Sequence, residues 1–376
     1  MSQNQKPKFI GNYVDELADA AIASAVTGEH LLVGGPPGGG KTTILRSAAE
    51  KIYGDSWGFI RMSPVTDPAE ITGPVDPKSI MEDGKYVINK EGTVYDQKYL
   101  AYLADEFTRA NPQVQELFVD ALNRLDKNDV PDQDLRPVVW MTANFVQVTS
   151  RLEAVYNRVG LTFWTPSSIQ PPKKVAEMHL RTLGTGATLQ LNGNLPKWSD
   201  IQKIRKMTPS EDAIKACGSF VDSIATEIEK AGEGFVLDNR RSTIWSTIAF
   251  RMSAYEYGSD DFTQVSDKAV KALKLAYQSS DAEQANMFAQ IVNACKDPVS
   301  VAIEIALEEC YMKMVEVKEN AGSGADAIEM TLVLGDAVRN KFLPAIRKLV
   351  ETDQDPRYVE AERTLNTQIM KVARGG

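Results

Sequence analysis

The residues best suited to chemistry lie in a glycine-rich stretch that ends in a lysine and two threonines. The stretch satisfies G-x-x-x-x-G-K-[ST] and runs Gly35, Pro36, Pro37, Gly38, Gly39, Gly40, Lys41, Thr42, Thr43. Successive backbone N–H groups in such a loop can bind phosphate oxygens, and glycines leave room for that approach. Lys41 would reach the β- and γ-phosphates, and Thr42 would bind Mg²⁺. The stretch therefore predicts a site for ATP with Mg²⁺.

Two elements must hold this loop in place. The apolar run "HLLVG" (residues 30–34) predicts a strand before it, and a helical pattern begins near Lys41. The N-terminal dipole and unpaired N–H groups of that helix would also attract phosphate. The apolar stripe that would pack this helix on a sheet consists of Ile44, Leu45, Ala48, Ala49 and Ile52.

Two acidic residues and an amide end two later apolar runs. Asp105 and Glu106 follow "YLAYLA", and Asn144 follows "VVWMTA". At a strand end beside the glycine loop, Asp105 would hold Mg²⁺ and Glu106 would polarise the attacking water as a general base. Asn144 could hydrogen-bond the γ-phosphate or that water. Solvated acids at a strand end, and an amide that caps a turn, are the alternatives.

Apolar runs of strand type alternate with helical patterns from about Tyr13 to Phe163, which predicts an α/β domain with a largely parallel sheet. The remaining strand candidates are residues 58–62, 99–105, 137–143 and 159–164. A proline-rich stretch at 165–174 predicts a linker, and helical periodicity follows. One amphipathic helix there would bury Ile214, Cys217, Val221, Ile224 and Ile228. We predict three domains: an α/β nucleotide-binding domain (1–166), a helical lid (174–285) and a helical C-terminal extension (286–376).

The order of these motifs resembles that of the AAA+ ATPases, and within them the MoxR-type family. The similar blocks cover roughly residues 13–277. They are "GGPPGGGKT", "SPVTDPAEITGPVD", "LADEFTRANPQVQELFVDAL", "TANF", "LEAVYNRVG" and "LDNRRSTIWSTIAFR". The resemblance implies a P-loop AAA+ domain with a mostly parallel sheet flanked by helices, followed by an all-helical lid and helical C-terminal region. It also implies ATP hydrolysis.

The resemblance further implies roles for several arginines. Arg158 matches the arginine finger that acts across a subunit boundary, where a guanidinium stabilises charge on the γ-phosphate. Arg241 matches the lid arginine that senses nucleotide, with Arg240 as a competitor, and Arg109 matches a further arginine at the subunit interface. This chain reads Asn157-Arg158-Val159 where the family usually has Asp-Arg-Phe, and Asn239-Arg240-Arg241 where it has Ser-Pro-Arg.

A ring, usually of six identical subunits, with loops at a central opening is also implied by the resemblance. The candidates for those loops are residues 84–92, read as a hairpin, and the acidic connection 125–137. A plain surface hairpin is the alternative for residues 84–92. The leading hypothesis is a chaperone-like ATPase that remodels a protein substrate, in the family often with a partner that carries a von Willebrand factor A domain. A nucleic-acid motor is the second hypothesis, and a monomeric nucleotide switch or small-molecule kinase the third.

Composition sets broader limits on these hypotheses. The formal charge is −9 and the pI about 5.1, which argues weakly against bulk nucleic-acid binding. Three widely spaced cysteines fit reduced thiols. We expect no secretory signal and no membrane span, and hence a cytoplasmic protein.

Overall fold

The computed structural model of the chain divides into two compact units, Met1–Ala289 and Gln290–Gly376. It describes residues 12–126, 136–144, 155, 157–165, 195–231, 238–277, 282–296, 298–321, 327–348, 350 and 356–374. The predicted linker at 165–174 lies outside these residues except for Thr165, as does most of the acidic connection at 125–137. None of the described helices is both long and apolar enough to cross a bilayer.

A five-stranded sheet forms the centre of the first unit, in the order β2-β3-β4-β1-β5 with every neighbouring pair parallel. The strands are β1 (Leu31–Gly34), β2 (Trp57–Arg61), β3 (Ala101–Asp105), β4 (Val138–Ala143) and β5 (Leu161–Trp164). All five predicted strands are present, some shorter at the start than the apolar run suggested. The predicted α/β class is confirmed.

The three inner strands are buried along their whole length, which explains why they read as continuous apolar runs instead of alternating patterns. Helices cover the sheet because parallel strands require crossover connections. The helices of this unit are α1 (Asn12–Thr27), α2 (Lys41–Tyr53), α3 (Pro68–Thr72), α4 (Pro77–Asp83), α5 (Pro112–Asp126), α6 (Trp198–Arg205), α7 (Glu211–Ala231), α8 (Asn239–Tyr257), α9 (Asp267–Leu273) and the start of α10 (Ala282–Lys296).

Two predicted helical stripes can be compared with the buried residues. All five predicted stripe residues of α2 are buried. In α7 the prediction was wrong at one position: Ile214 is 57% exposed, whereas Cys217, Val221, Ile224 and Ile228 are buried. Phe220 joins that stripe in place of Ile214, because it lies three residues after Cys217 on the same helix face.

The segment 84–92, which was predicted to form a hairpin, does not pair with itself. It pairs with residues on the N-terminal side of α4. Val75 and Ile88 form an antiparallel bridge, and α4 makes the connection between them. Asp76 N donates to Val87 O at 2.8 Å, and Asn89 N donates to Pro74 O at 2.9 Å. Gly84 ends α4 in the left-handed conformation, so this glycine terminates a helix and does not open a hairpin.

The second unit is helical in its described residues, as the sequence predicted for the C-terminal region. It contains the end of α10, α11 (Pro298–Ala321), α12 (Ala327–Ala337), α13 (Leu343–Arg347) and α14 (Pro356–Arg374). Residues from α11, α12, α13 and α14 share one apolar core, which includes Cys310, Leu334, Ile346 and Leu365. A π-helical turn (Val338–Phe342) joins α12 to α13. Because Pro344 has no backbone N–H, the regular ladder cannot continue through this point.

Candidate nucleotide-binding site

The glycine-rich loop connects the buried end of β1 to the first turn of α2. Gly35, Gly38 and Gly40 all have positive φ angles, of 141°, 81° and 80°. These conformations are costly for residues with a Cβ atom, so the loop requires glycine at each position. Gly35 has a second reason: a Cβ there would collide with the Thr165 hydroxyl oxygen. The glycines of the sequence therefore determine the backbone conformation of the loop and also leave space for phosphate.

Lys41 is the first residue of α2, and its side chain folds back over the loop. Nζ donates to Gly35 O at 2.7 Å, to Pro36 O at 2.8 Å and to Asn144 Oδ1 at 3.3 Å. The residue is 5% exposed, and this burial lowers the pKa of Lys41, an effect that the nearby Asp105 and Glu106 carboxylates oppose. The structure thus joins the predicted lysine and the predicted amide, which are 103 positions apart.

Asp105 lies at the end of β3, where two threonine hydroxyl groups contact the same carboxylate oxygen. Thr42 Oγ1 donates to Asp105 Oδ1 at 2.5 Å, and Thr142 Oγ1 donates to it at 2.7 Å. Arg61 Nε is 3.6 Å from the other oxygen. Thr42 and Asp105 are therefore adjacent, and hydroxyl and carboxylate oxygens are the hard ligands that Mg²⁺ prefers.

Glu106 follows immediately and is held by two arginine side chains. Arg109 Nη1 is 2.6 Å from Glu106 Oε2, and Arg61 Nη2 is 3.5 Å from Glu106 Oε1. Its backbone N–H donates to Thr142 Oγ1 at 2.9 Å. With φ at 56°, Glu106 is the one non-glycine residue with positive φ in the described part of the chain. Such backbone strain often occurs at functional sites.

Thr142 and Arg61 are members of this cluster that the sequence analysis missed. Thr142 is a polar residue inside an otherwise apolar strand, two positions before Asn144, and that contrast was a usable signal. Arg61 ends β2 and pairs in register with Asp105. That Arg61 lies beside Asp105 follows from the order of the strands, in which β2 is next to β3.

The remaining predicted site residues belong to the glycine-rich loop, to the segment before β5 and to the helical region. Gly39 is buried in the loop, whereas Pro37 and Thr43 are exposed. Arg158 is held by α5, since its Nε donates to Asn123 Oδ1. In the helical region, Arg240 is exposed and Arg241 is half-buried, with its guanidinium carbon 5.8 Å from the centre of the Tyr277 ring.

Comparison with known proteins identifies the first part of the chain. Residues 1–161 match the family described as the MoxR domain in the MoxR-vWA-beta-propeller ternary systems. The resemblance of this part of the chain to the MoxR-type family is therefore confirmed. The match covers the loop, Asp105, Glu106, Asn144 and Arg158.

Solved structures match this chain at low sequence identity. A protein from Cytophaga hutchinsonii described as a predicted ATPase is 18% identical, with a TM-score of 0.49, and the match covers 75% of this chain and 92% of that one. A variant of RuvB from Thermotoga maritima is 15% identical, with a TM-score of 0.28, and the match covers 94% of each chain. The assignment therefore rests on the family match, the site and the parallel sheet.

Proposed function

We propose that this MoxR-type protein hydrolyses ATP with Mg²⁺ in a ring of about six identical subunits, and that the cycle remodels a partner protein. The observation that carries the proposal is the convergence of Lys41, Thr42, Asp105, Glu106 and Asn144 at one edge of the sheet. Hydrolysis of a nucleotide needs phosphate binding, a metal site and a group that orients water. These five side chains meet those needs.

Each residue of the site has one proposed task. The loop residues Gly35–Gly40 and Thr43 would bind phosphate oxygens, and Lys41 would exchange its carbonyl partners for the β- and γ-phosphates. Thr42 and Asp105 would hold Mg²⁺, which screens the negative charge of the phosphates. Glu106 would accept a proton from the attacking water, and Asn144 would orient that water or the γ-phosphate. From the neighbouring subunit, Arg158 would stabilise charge at the γ-phosphate, and Arg241 would contact nucleotide from the lid.

A protein substrate is favoured by the surface of the segment between β2 and β3. Three of its apolar side chains are almost fully exposed: Val65 at 88%, Met81 at 87% and Tyr86 at 82%. Acidic residues outnumber basic ones in residues 65–98. Exposed apolar side chains suit contact with a polypeptide, and an acidic segment repels a phosphate backbone. We therefore favour this segment as the part that contacts the substrate.

The family match supports a particular kind of partner. Its description refers to systems that combine a MoxR domain, a vWA domain and a β-propeller. We propose that this chain works with a protein that carries a von Willebrand factor A domain, in the cytoplasm. A nucleic-acid motor is the alternative. It predicts ATP turnover that DNA stimulates with a steep salt dependence.

The test of the ring is the solution mass of Glu106→Gln with Mg²⁺ and ATP, measured by light scattering over a dilution series. This substitution keeps the shape of the side chain but removes the base, so hydrolysis should fall by about 10²–10⁴-fold while nucleotide stays bound. We expect a mass near six subunits with ATP, and a smaller mass for the control Lys41→Ala. A monomer at every concentration would refute the ring and favour a nucleotide switch or kinase.

A further inference from the structure

The helical region holds Arg241 against a cluster of buried aromatic residues. Trp245 lies one helical turn after Arg241 on α8, so both side chains project from the same face of that helix. The ring centres of Trp245 and Phe288 are 5.2 Å apart, and those of Tyr277 and Phe288 are 5.1 Å apart. All three aromatic residues are at most 5% exposed. They form a fixed platform at the start of α8.

Arg241 lies on this platform, whereas its neighbour Arg240 is exposed. The Arg241 guanidinium carbon is 5.8 Å from the centre of the Tyr277 ring, within the range of a cation–π contact. The Arg241 backbone N–H donates to Asp238 Oδ1 at 2.7 Å, which fixes the first turn of α8. Both ends of this arginine are therefore constrained, because the backbone is capped and the guanidinium is placed over a ring.

The segment that carries Tyr277 also contacts the nucleotide-binding sheet. Leu275 O accepts a hydrogen bond of 2.7 Å from Thr162 N on the edge strand β5. At the end of β5, the side chains of Trp164 and Thr165 fill the space that Cβ atoms would need at Gly34 and Gly35. A continuous set of contacts thus runs from Arg241 through residues 275–277 and β5 to the first glycines of the loop.

We propose that Tyr277 is a positioning residue for Arg241: its ring holds the guanidinium in the orientation needed to contact nucleotide, and residues 275–277 fix that ring relative to the phosphate loop. This inference rests on the proposed role of Arg241 and extends it. It also assigns the lid role to Arg241 over Arg240, because Arg241 lies on a ring attached to β5 and Arg240 is the more exposed of the two. The tyrosine ring supplies an electron-rich face that aliphatic side chains of similar size lack.

The test is a titration of a fluorescent ADP analogue with Mg²⁺ into the full chain and its variants. Tyr277→Phe keeps the ring and should bind nucleotide as the wild type does. Tyr277→Leu removes the ring and should weaken binding about twofold to fivefold, the effect of a cation–π contact in a partly exposed site. Phe288→Leu removes the ring that packs against both Tyr277 and Trp245, and it is the matched control for packing. We expect it to change the melting temperature more than the affinity.

A double-mutant cycle separates positioning from packing. If Tyr277 acts through Arg241, then Tyr277→Leu should weaken binding no further in an Arg241→Gln background. An equal loss in both backgrounds, or an equal loss in Phe288→Leu, would overturn the proposal. Arg240→Gln should leave the affinity unchanged. A different result would contradict the proposed ATPase function, namely a Lys41→Ala variant that still hydrolyses ATP. The two proposals can therefore be refuted separately.

Discussion

The guanidinium group of Arg109 lies 2.6 Å from the carboxylate of Glu106, the residue proposed to activate water. Arg61 approaches the other oxygen of the same carboxylate at 3.5 Å. A carboxylate whose two oxygens are engaged by guanidinium groups has less space and fewer lone pairs for contact with a water molecule. The described arrangement is therefore one in which the proposed base is restrained. Because both arginines are largely exposed, the restraint is weak enough to be released.

Removal of Arg109 should consequently raise basal ATP turnover. An exposed ion pair is worth up to about 1 kcal/mol, so we expect Arg109→Ala to increase kcat about twofold to fivefold. The measurement is steady-state phosphate release at saturating ATP. Lys230→Ala is the matched control, because Lys230 and Glu227 form an ion pair with the same spacing and the same 2.6 Å distance on α7. A lower kcat in Arg109→Ala would show that Arg109 assists hydrolysis, as an interface arginine would.

The residues of the candidate site were predictable where the chemistry of nucleotide binding restricts the residue types at the end of a strand. The loop, Asp105, Glu106 and Asn144 each follow an apolar run, and parallel strands bring such ends together. Arg61 and Thr142 were not predictable in this way. An arginine at the end of a strand has many possible partners, and only the neighbouring position of β2 and β3 shows which one it meets.

The burial of charged residues was the feature of the fold that was hardest to predict from the sequence. Arg205 ends α6 and reads as a surface residue, yet it is 1% exposed. Its Nε donates to Ala25 O and its Nη1 donates to Arg136 O, both at 2.8 Å, and burial lowers its pKa to about 10. These partners are distant in sequence. No local pattern predicts them, because they depend on where α6 packs against α1.

The two glycines at the start and middle of the loop should differ in their tolerance of a methyl group. Gly35→Ala adds a Cβ that collides with Thr165 Oγ1, whereas a Cβ at Gly38 meets no atom within 4 Å. Gly38→Ala should therefore lower the free energy of unfolding only by the strain of its positive φ, about 1–3 kcal/mol. We expect Gly35→Ala to weaken ADP binding more than Gly38→Ala, as measured by calorimetry. Equal losses would mean that Thr165 yields freely and does not shape the loop.

Nucleotide binding should take up protons at alkaline pH. Burial lowers the pKa of Lys41 from 10.5, so part of the Lys41 population is neutral as pH rises toward that lowered value. Bound phosphates favour the charged form, which raises the pKa again and draws a proton from solution. The affinity for nucleotide should therefore fall as the pH rises from the pKa of Lys41 in the free protein to its higher pKa in the complex. Calorimetry in two buffers of different ionisation enthalpy should show more proton uptake at about pH 9.5 than at about pH 8. Equal uptake at both would contradict this account.

Arg158 should be needed for hydrolysis but not for nucleotide binding. Its side chain is held by Asn123 on α5. If it acts on nucleotide in a neighbouring subunit, Arg158→Ala should lower kcat by about 10³-fold or more and leave the ADP dissociation constant unchanged. Asn123→Ala is the control, because it removes the partner on α5 and keeps the guanidinium.

Mixed assemblies then decide where Arg158 acts. Subunits with Arg158→Ala keep an intact phosphate site, and subunits with Glu106→Gln keep an intact arginine. Each population is nearly inactive alone. If the arginine is supplied across a subunit boundary, mixing them should restore part of the turnover, since some interfaces then pair an intact Glu106 with an intact Arg158. No recovery, together with a loss in Asn123→Ala as large as that in Arg158→Ala, would show that Arg158 supports α5 within its own subunit.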